Sequence, residues 1–595
     1  MATKLAQDTR ASSFTSDLGE DVLAVTRFEG AEGLSELFEF RVEVVSEDKD
    51  IDFDKILGTN CGLHIYSKHE GVKRHFRGVL VEAQWTGKLY ELRTYRLVLR
   101  PWLWLLTRTS TCRIFANKTV PDIIKQVFQD KGFDQFELSL SASYPELEYC
   151  VQYRETDFAF VSRLMEEYGL YYFFDHSESG HKLILADSSS AHPPKPAGAK
   201  LAMVSGDIVF TRHEDVLNQW TDERKHRSGK VTLNDYNYEK PSADLQAERD
   251  SIANYAHGQL EIYDYPGRYG EKGDGKSLAN VRLEAEQAAD KRSFADGDAV
   301  TCCPGFQMQL SGIQQPNTGK QFLIVRADHI YRSQAYRSTG SSGDESYSGK
   351  YEFQPIDIPY RASAATPKPI IHGPQTALVS SDVDDECRIE VQFYWDRDKK
   401  NSRYVRIAHG WAGNGWGDVK IPRIGMEVVV EYLDGDPDHP LVTGSVYNAE
   451  NVAPYVKDKH NAVSGVRTQT LGGSGYNELI MDDTSDNELI RFHAEHDLEG
   501  KVENDERRDI GRNVDVKIGK NRSEKIEAIW TVNAKQKIEF TVGESTFSMD
   551  PTSITLKSPR IMLDADAMLS LKSNAIGELT AGAPLTIKGA LVLIN

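Results

Sequence analysis

Ile510-Gly511-Arg512-Asn513 returns eight residues on as Ile518-Gly519-Lys520-Asn521, and the reading of this octad decides the fold. The same spacing puts Val502 before the pair and Ile526, Ala534 and Val542-Gly543 after it, while Ile561 and Leu563 return as Leu569 and Leu571. Eight residues suffice for one short strand and a tight corner, where glycine is expected to supply a positive φ. One such strand cannot bury its apolar edge alone. A single chain can stack these units into a solenoid, or three chains can wind together, each giving one side of a triangular prism per octad; spacing leaves both open. In either case Val502, Ile510, Ile518, Ile526, Val542, Ile561, Leu563, Leu569 and Leu571 face an internal axis, while Arg, Lys, Asp and Glu face water. Stacked strands then leave few free edges and make a stiff rod. A two-sided antiparallel sheet accounts for the alternation but not for the period of eight.

Outward from the tail, the chain remains rich in strands. Arg388–Phe393 and Glu427–Tyr432 alternate between turns of Gly, Asn, Asp and Pro, which suits a small barrel of the OB type. Phe38–Val44 and Tyr95–Leu99 alternate in the same way nearer the N-terminus. Helical spacing is expected near 120–131, with Pro121 in the first turn and Gly132 as the stop. A second helix, near 156–169, has Thr156 as the cap, an apolar stripe of Phe160, Val161, Leu164 and Met165, and Gly169 at its end. Leu170–Phe174 then reads as a strand buried on both faces. Further helices are expected near 244–257 and 277–289. Ser338–Gly349 reads as an exposed loop, and Pro355, Pro359, Pro367 and Pro369 as a stiff linker. The expected division is 1–370, β-barrel subdomains with helices; 371–460, the OB barrel; and 461–595, the octad tail, with the second boundary near Asn448–Gly465.

With 595 residues the chain exceeds a single core. Its 39% hydrophobic and 27% charged residues are ordinary for a folded protein. Ninety acidic against 70 basic residues give a net charge of −20, which repels nucleic acid and anionic lipid as main partners. Cys61, Cys112, Cys150, Cys302, Cys303 and Cys387 form no zinc pattern and read as reduced, mostly buried thiols. The segment MATKLAQDTR lacks the apolar core of a Sec signal, and no window is apolar enough for a membrane span, so export would need another route.

Asp434, Asp436 and Asp438 suggest a calcium loop, but His439 and Ser445 stand where an EF-hand needs Gly and Glu, so a polar hairpin turn is the better reading. His493 and His496 fall on opposite strand faces and read as solvated histidines. Gly413, Gly415 and Gly417 lack the Lys-Ser/Thr of a phosphate loop, and GxSxG and HExxH are absent from the sequence. No catalytic, cofactor or metal site is therefore expected. The competing class is a β-helix enzyme or sugar binder, which would need paired carboxylates on one solenoid face, whereas the acids of the tail are interleaved with Lys and Arg.

Trp411–Gly417, Ile421–Val428, Asp434–Pro440 and Gly444–Asn448 closely resemble the OB-domain signature of VgrG proteins, the spike proteins of bacterial type VI secretion. Gln152–Phe158 and Glu166–Phe173 resemble that family's hub motif, and Asn477–Leu479 and Arg491–Glu495 the start of its β-prism. The resemblance covers most of the chain in the family's order. It implies a mostly β fold with an α+β hub, an OB neck and an intertwined triple-stranded β-helix formed by a homotrimer. It also implies a puncturing spike rather than an enzyme, cytoplasmic until firing and then secreted with transient membrane contact. The implied partners are a hexameric Hcp tube at the hub, a PAAR-type cone at the tip, and effectors or adaptors. A phage-derived tail spike is the alternative. Phage relatives can carry a lysozyme before the prism, for which about twenty residues leave no room. The end of the chain, with Leu591, Val592, Leu593, Ile594 and Asn595, is apolar enough for a docking surface, and equally for a cap buried in the trimer.

Overall fold

Long strands with one apolar face build the first part of the chain, and they close on themselves where their edges meet. A computed structural model describes all residues except 1–4, 6, 8, 9, 205–213, 313–314, 335–344, 456–460 and 595. Two units emerge, Met1–Arg467 with Ile480–Arg491, and Thr468–Leu479 with Phe492–Asn595.

In the first unit, Gln321–Ser333, Gln307–Gly312, Lys200–Met203, Val216–Arg224, Lys291–Gly297 and Glu345–Pro355 pair in that order, and the last returns to the first. This ring is a closed barrel, filled by Leu201, Leu217, Met308, Leu310, Phe322 and Phe353. Gln321–Ser333 also pairs with Ala24–Gly33, which continues the sheet through Glu39–Ser46, Leu92–Arg100, Lys73–Leu89, Asn60–Tyr66 and Ser12–Thr15. Inside this second curved half, Phe28, Phe38, Phe40 and Phe76 pack ring against ring.

Charge is buried among these rings. Glu32 accepts a hydrogen bond from Arg74 at 2.6 Å and one from His329 at 3.0 Å, with His176 at 3.5 Å. Burial alone would raise the Glu32 carboxyl, yet Arg74 and the two histidines hold it well below its ordinary value. The side chains of Glu32 and Arg74 are 5% and 4% exposed, so neither can turn to water if the other is lost.

Helix α1 spans Val120–Asp130 with Thr119 as its cap. Helix α2 spans Asp157–Tyr168, where the Thr156 hydroxyl accepts from the Ala159 amide and Gly169 ends the helix at φ 75°. Both follow the expected spacing, while α3, Lys272–Ala288, begins five residues before the expected 277–289. The helix expected over Asp244–His257 is not there. Ala247–Asp250 is instead a strand paired with Lys230–Leu233. Leu245 and Ala247 are buried, a period of two, and they pack on Leu278, Ala279 and Leu283 of α3. The loop expected over Ser338–Gly349 lies outside the described residues as far as 344, and 345–349 belong to the strand Glu345–Pro355. There Gly349 gives room to the Tyr351 ring and marks a close approach within a strand, not a loop.

The proline-rich stretch is not a free linker. Arg361 donates to the carbonyl of Gly169 and to Glu284, and the amides of Ala365 and Thr366 donate to Glu166. After it, Val391–Phe393, Gln375–Val379, Glu427–Tyr432 and Pro440–Val446 form a four-stranded sheet. The single strand expected over Arg388–Phe393 divides at Glu390: Arg388–Ile389 pairs with Val405–Arg406, and Val391–Phe393 with the main sheet. A strand that changes partner is how a small barrel turns a corner. Its core of Val379, Val391, Phe393, Val428 and Val430 is continuous with Tyr149 and Val151 of the hub.

Candidate self-assembly interface

In the second unit the backbone bends at 495–496, 503–504, 511–512, 519–520, 527–528 and 535–536, and again at 566–567, 574–575, 582–583 and 590–591. Both runs keep a period of eight. Val502, Ile510, Ile518 and Ile526 each stand one residue before a bend, and Ile561 with Leu563 and Leu569 with Leu571 stand five and three before theirs. In extended backbone these positions share one face. Gly511 and Gly519 do not take a left-handed conformation, contrary to expectation; a Cβ at either would meet nothing within 4 Å. The corners are therefore open bends that tolerate other residues, which explains Glu503, Glu527 and Lys535 at equivalent places.

Between the runs lies a three-stranded antiparallel sheet, Ile538–Val542, Ser545–Met549 and Ile554–Lys557. Val542 sits beside its first turn, where Gly543 takes φ 55°. The local antiparallel sheet thus exists, but only as an interruption of the octads.

No described residue between 492 and 594 is buried. Ile510, Ile518 and Ile526 are 50%, 46% and 49% exposed, and Leu569 and Leu571 56% and 81%. Covering the exposed half of such a side chain gains about 1 kcal/mol, so a face of this length is poised to be covered. Leu591, Val592, Leu593 and Ile594 are likewise exposed, while Asn595 lies outside the described residues. His493 is not simply solvated: its Nδ1 lies 3.0 Å from the Tyr476 carbonyl, and its ring stacks on Tyr476 at 4.4 Å.

The first unit contains a second feature that sequence reading undervalued. Asp436 and Asp438 do more than polarise a turn. The Lys368 ammonium lies 2.7 Å from Asp436 and 2.6 Å from Asp438, and the Val151 amide donates to Asp438 at 2.6 Å. One buried cation thus ties the OB barrel to the hub. Burial alone would raise the Asp436 carboxyl, but His439 and Lys368 hold it far below the carboxylate range. Burial alone would lower Lys368, but Asp438 and Asp436 hold it above its ordinary value. A carboxyl depressed on folding stabilises fully above its unfolded pKa of about 4 and less as pH falls; a raised ammonium stabilises fully below its unfolded pKa of about 10.4 and less as pH rises. The joint should therefore be tightest between those limits. In limited proteolysis, cleavage over 362–374 should accelerate below about pH 4 in the wild type. Lys368→Met should show the same acceleration already at pH 7, because it takes away the one cation shared by both carboxylates, leaving Asp438 with the Val151 amide and Asp436 with Arg268 at 3.3 Å.

Six cysteines are free, with Cys61, Cys150, Cys302 and Cys303 buried. Among the described residues, three or more His, Cys, Asp or Glu side chains nowhere converge as metal ligands, and no helix is long and apolar enough to cross a membrane.

Comparison with known families matches three successive regions: the phage tail baseplate hub over residues 31–335, the type VI secretion system/phage-baseplate injector OB domain over 375–447, and the bacteriophage T4 gp5 C-terminal trimerisation domain over 464–550. The fold is therefore that of a contractile-tail hub and spike. The Pseudomonas aeruginosa spike protein VgrG1b is 39% identical over 85% of this chain and 70% of its own length, and VgrG1c is 37% identical over 85% and 71%. An E. coli type VI secretion component, described as similar to the T4 tail proteins gp27 and gp5, superposes with a TM-score of 0.53 at 19% identity, covering 73% of this chain and all of its own. The chain belongs to the VgrG family of type VI secretion system spike proteins.

Proposed function

We propose that three copies of this chain wind their octads into one β-prism, and that the assembly is a passive puncturing spike at the end of a contractile tube. The observation that carries this reading is the apolar face of period eight, 46–81% exposed from Val502 to Leu571. The match of 464–550 to a trimerisation domain supports three as the number. On this reading 1–370 is the hub that meets a hexameric Hcp-type tube, 371–460 the neck and 461–595 the spike. The interleaved acids and lysines of the tail favour a solvated wall over a catalytic groove, so we read the chain as mechanical and not enzymatic. Force from a contracting sheath would reach the target through a rod stiffened by continuous hydrogen bonding. The protein would leave the cytoplasm with the tube, carrying effectors on its tip or through adaptors. Neighbouring genes for a secretion system, as opposed to a phage tail, would separate the two homes of this architecture.

The exposed Leu591, Leu593 and Ile594 suit a small PAAR-type cone. Replacing these three by serine should abolish co-purification of that cone while leaving the native mass unchanged. Secretion of the tube protein into the medium should fall with it. Retention of the cone by the triple variant would show that the tip is merely a cap.

A further inference from the structure

The face that carries Val502, Ile510 and Ile518 is not apolar throughout. Counting by twos from Ile510 leads to Arg508 and Glu506, and from Ile526 to Glu524 and Arg522. All four share parity with the isoleucines, whereas the charged residues Arg507, Asp509, Asp515, Lys517 and Lys525 lie on the other face. Between the bends, then, one octad offers Glu506, Arg508 and Ile510, the next Val514, Val516 and Ile518, the third Arg522, Glu524 and Ile526. Charged and apolar rungs alternate. Each charged rung is already balanced within its own strand: Arg508 pairs with Glu506 at 2.5 Å, and Arg522 pairs with Glu524.

We infer that Glu506–Arg508 and Arg522–Glu524 are interior contacts between chain copies, two charge-balanced rungs that reject a neighbouring copy displaced by one octad. This rests on the trimeric reading of the tail. The physical problem they solve is degeneracy. Octads that differ only in Val, Ile and Leu pack almost equally well when one chain slips by a whole octad, as flat repetitive strands do. A slip of one octad would set Glu506 and Arg508 against Val514 and Val516, leaving buried charges without hydrogen-bond partners on the neighbouring chain. In register, each level collects Glu and Arg from every copy, and each guanidinium has carboxylates on either side. A polar position inside an otherwise apolar seam specifies register and partner in the same way in coiled coils. A spike chain of different charge order would be rejected on the same ground.

The test uses full-length protein. Glu506→Arg alone and Arg508→Glu alone would each stack only like charges on one level. Trypsin-family and Glu-specific protease cleavage within 497–534 should accelerate by about tenfold or more in each, reporting an opened shaft. Co-expression of the two chains should restore protection through mixed trimers, and so should the exchanged pair Glu506→Arg with Arg508→Glu in one chain. Asp509→Lys, on the other face, should match the wild type. The inference is overturned if both single variants stay as protected as the wild type, or if neither mixing nor exchange rescues them, while the wild type is a trimer. A monomeric wild type would instead remove the trimeric reading on which the inference stands.

Discussion

Ile510→Asp with Ile518→Asp abolishes the assembled spike: the double variant is expected to elute and scatter as a single chain, with the tail open to protease. In the assembled prism each copy would bring one carboxylate onto each of two successive levels, in place of an isoleucine. Burying an unpaired carboxylate carries a penalty of several kcal/mol, and each lost isoleucine forfeits about 1 kcal/mol of assembly burial besides. Both side chains are half exposed in the single chain, so the substitutions leave one copy's own contacts nearly untouched. Soluble, folded monomer is therefore the expected product, with hub and neck intact. The aspartates of the opposite face, such as Asp509 and Asp515, provide the contrast, since replacing them by isoleucine should not affect assembly.

The second large effect is in the hub. Glu32→Ala leaves Arg74 and two histidines in an apolar ring cluster with no counter-charge, and should lower hub stability by about 3–5 kcal/mol. The denaturant midpoint followed by near-ultraviolet circular dichroism reads this directly, because Arg74 lies over the Phe76 ring and Phe28 and Phe40 pack against His329 and His176. Replacing both partners, Glu32→Leu with Arg74→Met, should return part of the loss, since it removes the buried guanidinium while the His329 Nε2 still lacks its partner. If the single and double variants were equally destabilised, packing and not charge would be what holds this cluster.

The parts of the fold visible in the sequence are those where one local signal dominates. Thr156, the stripe Phe160–Met165 and Gly169 cap, face and end α2 within a few residues, and the structure places each in that role. The octad is local too, and its bends repeat at the expected interval. Where the structure departs from local expectation, the cause is a partner distant in sequence. Residues 244–257 are rich in helix formers, but Leu245 and Ala247 are committed to α3 and to the strand Lys230–Leu233, and that pairing overrides propensity. Gly349 looked like loop because glycine usually is; only the Tyr351 ring beside it shows why a strand needs none but glycine there. Lys368 and Asp438 lie seventy positions apart, so no motif could join them. The charged rungs were legible all along. Parity from Ile510 marks Glu506 and Arg508 as facing inward, a signal lost when only apolar repeats are counted and every charge is assigned to water.

The most direct test of the whole account is the native mass of purified full-length protein by light scattering. Three chains per particle, stable on dilution and with the segment 497–534 resistant to protease, is the predicted result. A folded particle of one chain whose octads are nonetheless protected would mean that each copy winds a coil of its own, and would contradict it.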